Sequence, residues 1–338
     1  MPVRVAVDAM GGDHAPAVVV EGCIQAARTL GSDVQVLLTG PEEEISRLIR
    51  EMGGEGLGLQ VLHAPDIISM GESPTSAVKG KPNSSIHVGL QAQKTGTADA
   101  FVSAGNTGAV MAAALFILGR LPGVSRPAII GYFPTLKDFC LIIDVGTNVD
   151  CRPEHLVQFA LMGSIYAEKV LRRDRPVVAL MNIGEEPGKG NEQAKSAFAL
   201  LSEEKSLNFR GNIEGRDIMQ HPADIVVCDG FVGNIMLKLG ESIASVLPRM
   251  IGAEMARLQM VPAEQAIVGR AFEGVRRRFD YEEYGGVPLL GVGGNVIIGH
   301  GGSGARAIAN MVRVAADLYR KDVSGSITSA MVAQPASA

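Results

Sequence analysis

Six segments of the chain set glycines beside polar side chains directly after an apolar run. They are Asp8-Ala9-Met10-Gly11-Gly12-Asp13-His14, Ala104-Gly105-Asn106-Thr107-Gly108, Val145-Gly146-Thr147-Asn148, Asn182 to Asn191 with Lys189, Cys228 to Asn234, and Gly299-His300-Gly301-Gly302-Ser303-Gly304. Glycine lets backbone N–H groups approach a ligand with no Cβ in the way. A helix that starts just after such a turn adds unpaired N–H groups and a positive dipole end. With Asn side chains, two histidines (His14, His300) and Lys189, the set suits anions and developing oxyanions. Any one of these turns reads equally well as a capped strand-to-helix connection, with Asp13 or Asn106 as the cap. Repetition of the device carries the functional reading.

Other chemistries fit less well. Gly184 to Gly190 looks like a P-loop, but it lacks one intervening residue, and Gly190 stands where Ser or Thr would hold magnesium. Gly299-x-Gly301-x-x-Gly304 matches the dinucleotide fingerprint, yet no strand follows it to carry an acidic residue for the ribose. No His-x-x-x-His or Glu-x-x-His pair is present, so no metal is expected. Asp8, Asp144 and Asp229 end strands and read either as magnesium ligands or as ties for loop N–H groups. Cys151 and Cys228 are open as nucleophiles but have no paired His. The four cysteines are far apart, without a Cys-x-x-Cys, and read as reduced residues.

The elements that position these loops follow from periodicity. Strands are expected at Val3 to Val7, Val34 to Thr39, Gln60 to Ala64, Asp99 to Ser103, Pro127 to Phe133, Phe139 to Asp144, Pro176 to Met181, Ala223 to Val227 and Asn295 to Ile298. Helices are expected at Ala17 to Leu30, Pro41 to Met52, Ser85 to Lys94, Ala109 to Leu118, Glu154 to Leu171, Ala194 to Leu201, from Ile235, and Ala305 to Tyr319. Ser69 to Ser85 reads as a long polar loop with Lys79 and Lys81. Strand, glycine-rich loop and helix in alternation imply an α/β fold, a doubly wound, mainly parallel sheet. In such sheets ligands bind at the carboxyl ends of the strands. All six loops sit there, so their polar groups are expected to converge on one cleft.

Composition narrows the class. The chain has 338 residues, of which 46% are apolar and 20% charged, which describes a globular protein. A net charge of −5, 4% aromatics and no Trp give no basis for nucleic-acid binding. The N-terminus reads as a strand rather than a signal peptide. Gly108 to Leu118, the longest apolar run, falls short of the about 20 residues that span a bilayer. A soluble, cytoplasmic protein is expected.

Val7 to Asp13, Ser103 to Ala109, Asn148 to Cys151, Gly184-Glu185-Glu186 with Lys189-Gly190, and Val227 to Asn234 together resemble the bacterial phosphate acyltransferases of phospholipid synthesis. The resemblance runs in register from about residue 3 to about residue 320 and departs at Thr147, where that family more usually has Ala. It implies transfer of a fatty acyl group from acyl carrier protein to inorganic phosphate, giving acyl phosphate. It also implies a Rossmann-like three-layer fold similar to phosphotransacetylase and isopropylmalate dehydrogenase, and a homodimer without a metal or nucleotide cofactor. The enzyme would work at the inner face of the membrane, beside the glycerol-phosphate acyltransferase that uses its product. The resemblance carries the assignment of Lys189 and Asn234 as catalytic: Lys189 as charge for phosphate or oxyanion, Asn234 as a hydrogen bond to the thioester carbonyl. Asp8, Gly11, Gly12, Asp13, Gly105, Asn106, Thr107 and Asn148 are candidates for phosphate, and His14 and His300 for phosphate or the leaving thiolate.

One region breaks the alternation. Gly240 to Phe279 reads as a helical hairpin with the stripes Ile243, Leu247, Met250, Ile251 and Ile267, Ala271, Val275, Phe279, and with Leu258 to Pro262 as an apolar tip. Such a hairpin suits a dimer interface. The resemblance adds membrane contact through Leu258, Met260 and Val261. It places Arg257, Arg276, Arg277 and Arg278, with Arg249 and Arg270 nearby, against lipid phosphates or the carrier protein. Residues 1–321 are expected to form one domain with the arm at about 240–280, and Asp322 to Ala338 a loose tail. Two rivals stand beside this reading: a phosphotransacetylase-like enzyme on acyl-CoA, and a non-catalytic membrane-docking scaffold.

Overall fold

Val3–Asp8 (β1) is buried along nearly its whole length, as a strand covered on both faces must be. The computed structural model describes residues 1–276 and 285–333. These cluster into two compact units: residues 1–129, 165–174 and 285–333, and residues 130–164 and 175–276.

The first unit is a sheet in the order β3 (Gln60–His63), β2 (Val34–Gly40), β1, β4 (Ala100–Ser103), β11 (Val296–Ile298), β10 (Val287–Leu290). All pairs are parallel except β10 with β11. β5 (Ala128–Pro134) starts in this unit, where Ala128 and Ile129 run antiparallel to β10. Helix α1 (Ala17–Leu30) packs on the penultimate helix (Ala305–Arg320, here α10), and α10 covers β1, β4 and β11. Their contact needs Gly22, where any Cβ would press on Ile308 and the Ala305 carbonyl. Helices α4 (Ser85–Lys94) and α5 (Thr107–Ile117) pack on each other, with α4 over β1, β2 and β4. Helix α2 (Glu42–Glu51) turns Ile45, Leu48 and Ile49 inward and its charges outward.

The second unit orders its strands as β5 from Ile130, β6 (Phe139–Ile143), β9 (Ile225–Val227), β7 (Val177–Asn182), β8 (Asn208–Glu214). β5 and β6 are antiparallel and the rest parallel. Phe133, Cys140, Ile142, Ala179, Ile213 and Val226 form its core. Helices α6 (Pro153–Lys169) and α7 (Glu192–Glu203) follow β6 and β7. Helix α8 (Gly230–Arg257) follows β9, and α9 (Pro262–Arg276) follows α8.

The sheet is mainly parallel, as expected, with antiparallel pairs at β10 and β5 that the alternation does not announce. Several elements depart from expectation. Pro74–Gly80 (α3) is a helix inside the supposed loop, started by Pro74 at its first position. β8 and β10 were not anticipated. Val323–Val332 (α11) is a helix rather than loose tail: Asp322 caps it, and Val323, Ile327 and Met331 are buried at helical spacing. Helix α8 starts at Gly230, not Ile235, because the Asp229 carboxylate accepts the Val232 N–H at 2.8 Å. At 28 residues with mean hydropathy 1.2 over its most apolar window, α8 is long and apolar enough by composition to cross a membrane, a property the shorter run Gly108 to Leu118 lacks. Phe279, Arg277 and Arg278 lie outside the described residues.

Candidate active site

Asp8 closes β1 and is only 2% exposed. Its Oδ2 accepts the Ser103 hydroxyl at 2.7 Å, its Oδ1 accepts the Met10 N–H at 3.2 Å, and Ser103 Oγ accepts the Gly105 N–H at 3.0 Å. One buried carboxylate thus stitches the turn after β1 to the turn after β4. Burial pushes the Asp8 carboxyl above its ordinary value, while hydrogen bonds from Ser85, Ser103, Met10 and Gly11 pull the other way. A Cβ on Gly11 would overlap the Asp8 carboxylate and the Gly105 nitrogen. Gly12 sits at φ +122°, and a Cβ there would stand 3.2 Å from the Gly301 carbonyl. The Asp13 N–H donates to that same carbonyl at 2.8 Å. The loops after β1, β4 and β11, three neighbouring parallel strands, therefore meet at Gly11, Gly12, Gly105 and Gly301.

At the rim of this cluster, Asn106 is committed to the protein. Its Oδ1 accepts the Ala109 N–H at 3.1 Å and caps α5. Its Nδ2 points to the carbonyls of Ser69, Met70 and Glu72 at 3.3, 3.1 and 3.0 Å. Thr107 opens α5 with an exposed side chain, and Asp13, His14 and His300 are exposed. His300 Nδ1 accepts the Gly302 N–H at 3.1 Å. Glu72 Oε1 accepts the Ser69 N–H and hydroxyl and the Lys81 ammonium, each at 2.7 Å. The Lys81 bond first, and Ser69 next, hold the Glu72 carboxyl down at about 2.

The second unit repeats the device. Asp144, fully buried at the end of β6, accepts the Asn148 N–H at 2.6 Å and Asn148 Nδ2 at 3.1 Å on its Oδ2. The Asn148 carbonyl accepts the Gly230 N–H at 2.7 Å, which joins the loop after β6 to the start of α8. A Cβ on Gly233 would overlap the Asp144 carbonyl, so the helix backbone rests directly on that strand end. Asn234 is exposed on the first turns of α8, its carboxamide carbon 3.5 Å from the point a Gly146 Cβ would occupy. Asn234 is therefore a helical residue, not a loop one. In the loop between, Thr147 Oγ1 is buried without a hydrogen-bond partner. Cys228 is buried, its thiol pushed well above the ordinary range by burial first and then by Asp229 and Asp144, which removes it as a nucleophile.

Lys189 follows β7 on an exposed turn. Asn182 Nδ2 donates to the Lys189 carbonyl at 3.1 Å, and the Lys189 N–H donates to the Glu186 carbonyl at 3.1 Å. The same Glu186 carbonyl accepts Asn212 Nδ2 from β8 at 3.0 Å. The Lys189 stem lies over Gly184, where a Cβ would come 2.8 Å from Cγ, and Nζ is 3.9 Å from Glu186 Oε1. Gln193 Nε2 donates to the Cys151 carbonyl at 2.6 Å, linking this turn's helix to the loop after β6.

The structure thus gathers Asp8, Gly11, Gly12, Asp13, Gly105 and His300 in one unit, and Asn148, Asn234 and the Lys189 turn in the other. Sequence reasoning passed over Ser103, Glu72 and Asn212. Ser103 had one available signal, a polar residue ending an apolar strand. Asn212 had none, since its strand was not recognised. Among the described residues no group of three or more His, Cys, Asp or Glu side chains is placed to hold a metal ion.

On the arm, Leu258 and Val261 are exposed and Met260 half-buried. Arg257 is bound to Glu254, its Nε 2.9 Å from Oε2. Arg276 ends α9, and Arg249 and Arg270 are exposed. The tip is ordered by its own bonds: Gln259 adopts φ +50°, and the Val261 N–H donates to Glu264 at 2.9 Å.

Residues 3–326 match the family described as fatty acid synthesis protein. The chain is 53% identical over 329 residues to a phosphate acyltransferase of Salinibacter ruber, covering 97% of each chain. It is 49% identical over 333 residues to a phosphate acyltransferase of Chlorobaculum parvum, covering 96% of this chain and 98% of that one. Among solved structures, a phosphotransacetylase from Streptococcus pyogenes superposes with TM-score 0.61 at 17% identity over 94% of both chains, a likeness of fold. On its near full-length match and these identities, the chain belongs to the fatty acid synthesis protein family, together with the phosphate acyltransferases.

Proposed function

We propose that this chain transfers a long-chain acyl group from the thioester of acyl carrier protein to inorganic phosphate, giving acyl phosphate for phospholipid synthesis. The observation that carries the reading is the meeting of three strand-end loops at Gly11, Gly12, Gly105 and Gly301, with the start of α5 beside them. Gly11 and Gly105 pack the loops tightly there, and the start of α5, where Thr107 is exposed, adds donors for a small oxygen-rich anion. Phosphate is already a nucleophile, so the reaction needs no activated side chain. It needs the phosphate held for attack on the thioester carbon, charge stabilisation for the tetrahedral oxyanion, and departure of a thiolate.

In this reading Lys189 supplies positive charge to phosphate or oxyanion, and Asn234 donates to the thioester carbonyl. Gly12 and Thr107 bind phosphate, with His14 and His300 at the rim as donors to phosphate or to the leaving sulfur. Gly11 and Gly105, whose N–H groups are held by Asp8 and Ser103, give the close backbone approach. Asp8, Asn106 and Asn148 organise the loops, since their polar atoms already hold protein groups. Replacing Lys189 by Ala is expected to lower acyl-phosphate formation from palmitoyl carrier protein about 100-fold or more. Wild-type turnover in that variant would remove the role of Lys189. Equal turnover of palmitoyl-CoA and palmitoyl carrier protein would replace the donor assignment by the phosphotransacetylase-like one.

The arm extends the proposal. Phe231, Ile235, Leu239, Ile243, Leu247 and Met250 form an exposed stripe along α8 at spacings of three and four. A second copy covers this stripe in a homodimer. Leu258 and Val261 at the tip touch the inner face of the membrane, where the downstream glycerol-phosphate acyltransferase takes the product.

A further inference from the structure

The turn that presents Lys189 is exposed on most of its residues, and two amides fix it. Asn182 holds the Lys189 carbonyl from the end of its own strand. Asn212 comes from the neighbouring strand β8, is 6% exposed, and donates Nδ2 to the Glu186 carbonyl at 3.0 Å. That carbonyl is the acceptor of the Lys189 N–H, so the backbone turn closing on Lys189 is pinned from outside at its acceptor.

Stability alone does not call for an amide at this position. Asn212 Oδ1 is buried with no hydrogen-bond partner, which carries a desolvation cost. An apolar side chain of the same size would escape that cost, and the Glu186 carbonyl would keep the Lys189 N–H as its donor. What Asn212 uniquely provides is a second, fixed donor on the one carbonyl that sets where the Lys189 backbone turns.

We propose that Asn212 is a positioning residue for the reaction: its Nδ2 fixes the Glu186 carbonyl and thereby the direction in which the Lys189 ammonium is presented. This rests on the catalytic reading of Lys189.

The test uses the full chain with palmitoyl carrier protein and inorganic phosphate. It compares wild type, Asn212→Leu, Asn212→Asp, Lys189→Ala and the Lys189→Ala/Asn212→Leu double variant, each with its melting temperature. Asn212→Leu is expected to melt at or above the wild-type temperature while kcat/KM for phosphate falls about tenfold. In the Lys189→Ala background the same change is expected to cost nothing further, because the group it positions is gone. Asn212→Asp lacks the donor when ionised and regains one when protonated, so its deficit relative to wild type is expected to shrink as pH falls. Wild-type kcat/KM in Asn212→Leu overturns the proposal. So does a tenfold loss that persists undiminished in the Lys189→Ala background, or a loss in both Asn212 variants that simply follows a lowered melting temperature. Wild-type turnover in Lys189→Ala is a separate outcome: it removes the premise about Lys189, whatever Asn212→Leu does.

Discussion

At the residue scale, two buried aspartates do the same work in different units. Asp8 and Asp144 each end a strand and gather the loop that follows it, and each sits beside a glycine that cannot become alanine. Gly233 is the sharpest case, because its Cβ would overlap the Asp144 carbonyl. Gly233→Ala is expected to destabilise the protein by about 2–3 kcal/mol, measured by denaturant unfolding, since backbone rather than a flexible side chain must give way. A variant as stable as wild type would show that α8 shifts freely on β6. Cysteine reactivity gives a second check. Cys23, Cys140 and Cys228 are buried and Cys151 is half-exposed. Burial pushes the Cys23 and Cys228 thiols up, away from thiolate. Brief alkylation of the folded protein at neutral pH, mapped by mass spectrometry, is expected to mark Cys151 first. Early labelling of Cys228 would contradict its burial.

At the element scale, the segment after β3 shows how a polar stretch is ordered without an apolar run. Glu72 binds Ser69 and Lys81 and so ties the turn 69–73 to the end of α3. Its folded-state value, about 2, lies below the ordinary 4.5. The contribution of this carboxylate is therefore present above the unfolded value and is lost as pH falls through the window between them. Hydrogen-exchange protection factors at residues 66–84, corrected for the intrinsic pH dependence of exchange, are expected to fall as pH drops across that window in wild type and to be low and pH-independent in Glu72→Gln. No pH step in the wild-type segment would remove Glu72 as its tie.

The same segment marks where the sequence was readable. β6 and α5 announce themselves, the first as Phe139-Cys140-Leu141-Ile142-Ile143 and the second as an apolar helix behind an Asn cap. β8 does not: it is an edge strand, Asn208-Phe209-Arg210-Gly211-Asn212-Ile213-Glu214, with only two residues fully inside. β10 is four residues with Pro288 among them, and α11 is mostly Ser, Thr, Gly and Ala outside its three buried positions. The loops around Gly11, Asn106 and Asn148 were legible as polar turns, but what their side chains hold was not. Asn106 turns inward to carbonyls more than thirty residues back along the chain, which spacing cannot show, whereas Asn148 turns to Asp144 only four residues before it.

At the scale of the molecule, the arm carries the longest run of exposed apolar side chains on one helix among the described residues. Ile243 is 50% exposed and Met250 62%, and α8 and α9 do not bury these side chains between them. Ile243→Glu is expected to shift sedimentation from twice the 35.5 kDa chain mass to the single mass. Unchanged sedimentation would assign the stripe elsewhere. Leu258→Glu is expected to reduce co-sedimentation with anionic liposomes, and wild-type binding by that variant would exclude the tip from the contact. One further consequence follows from the helix itself. Asn234 lies in α8 and Leu258 caps its far end, about 36 Å along the axis, with Pro248 removing one backbone hydrogen bond between them. In the membrane-bound state proposed above, a hold on Leu258 would act at the end of the helix whose first turns carry Asn234, and whose base is set by Gly233 against the Asp144 carbonyl.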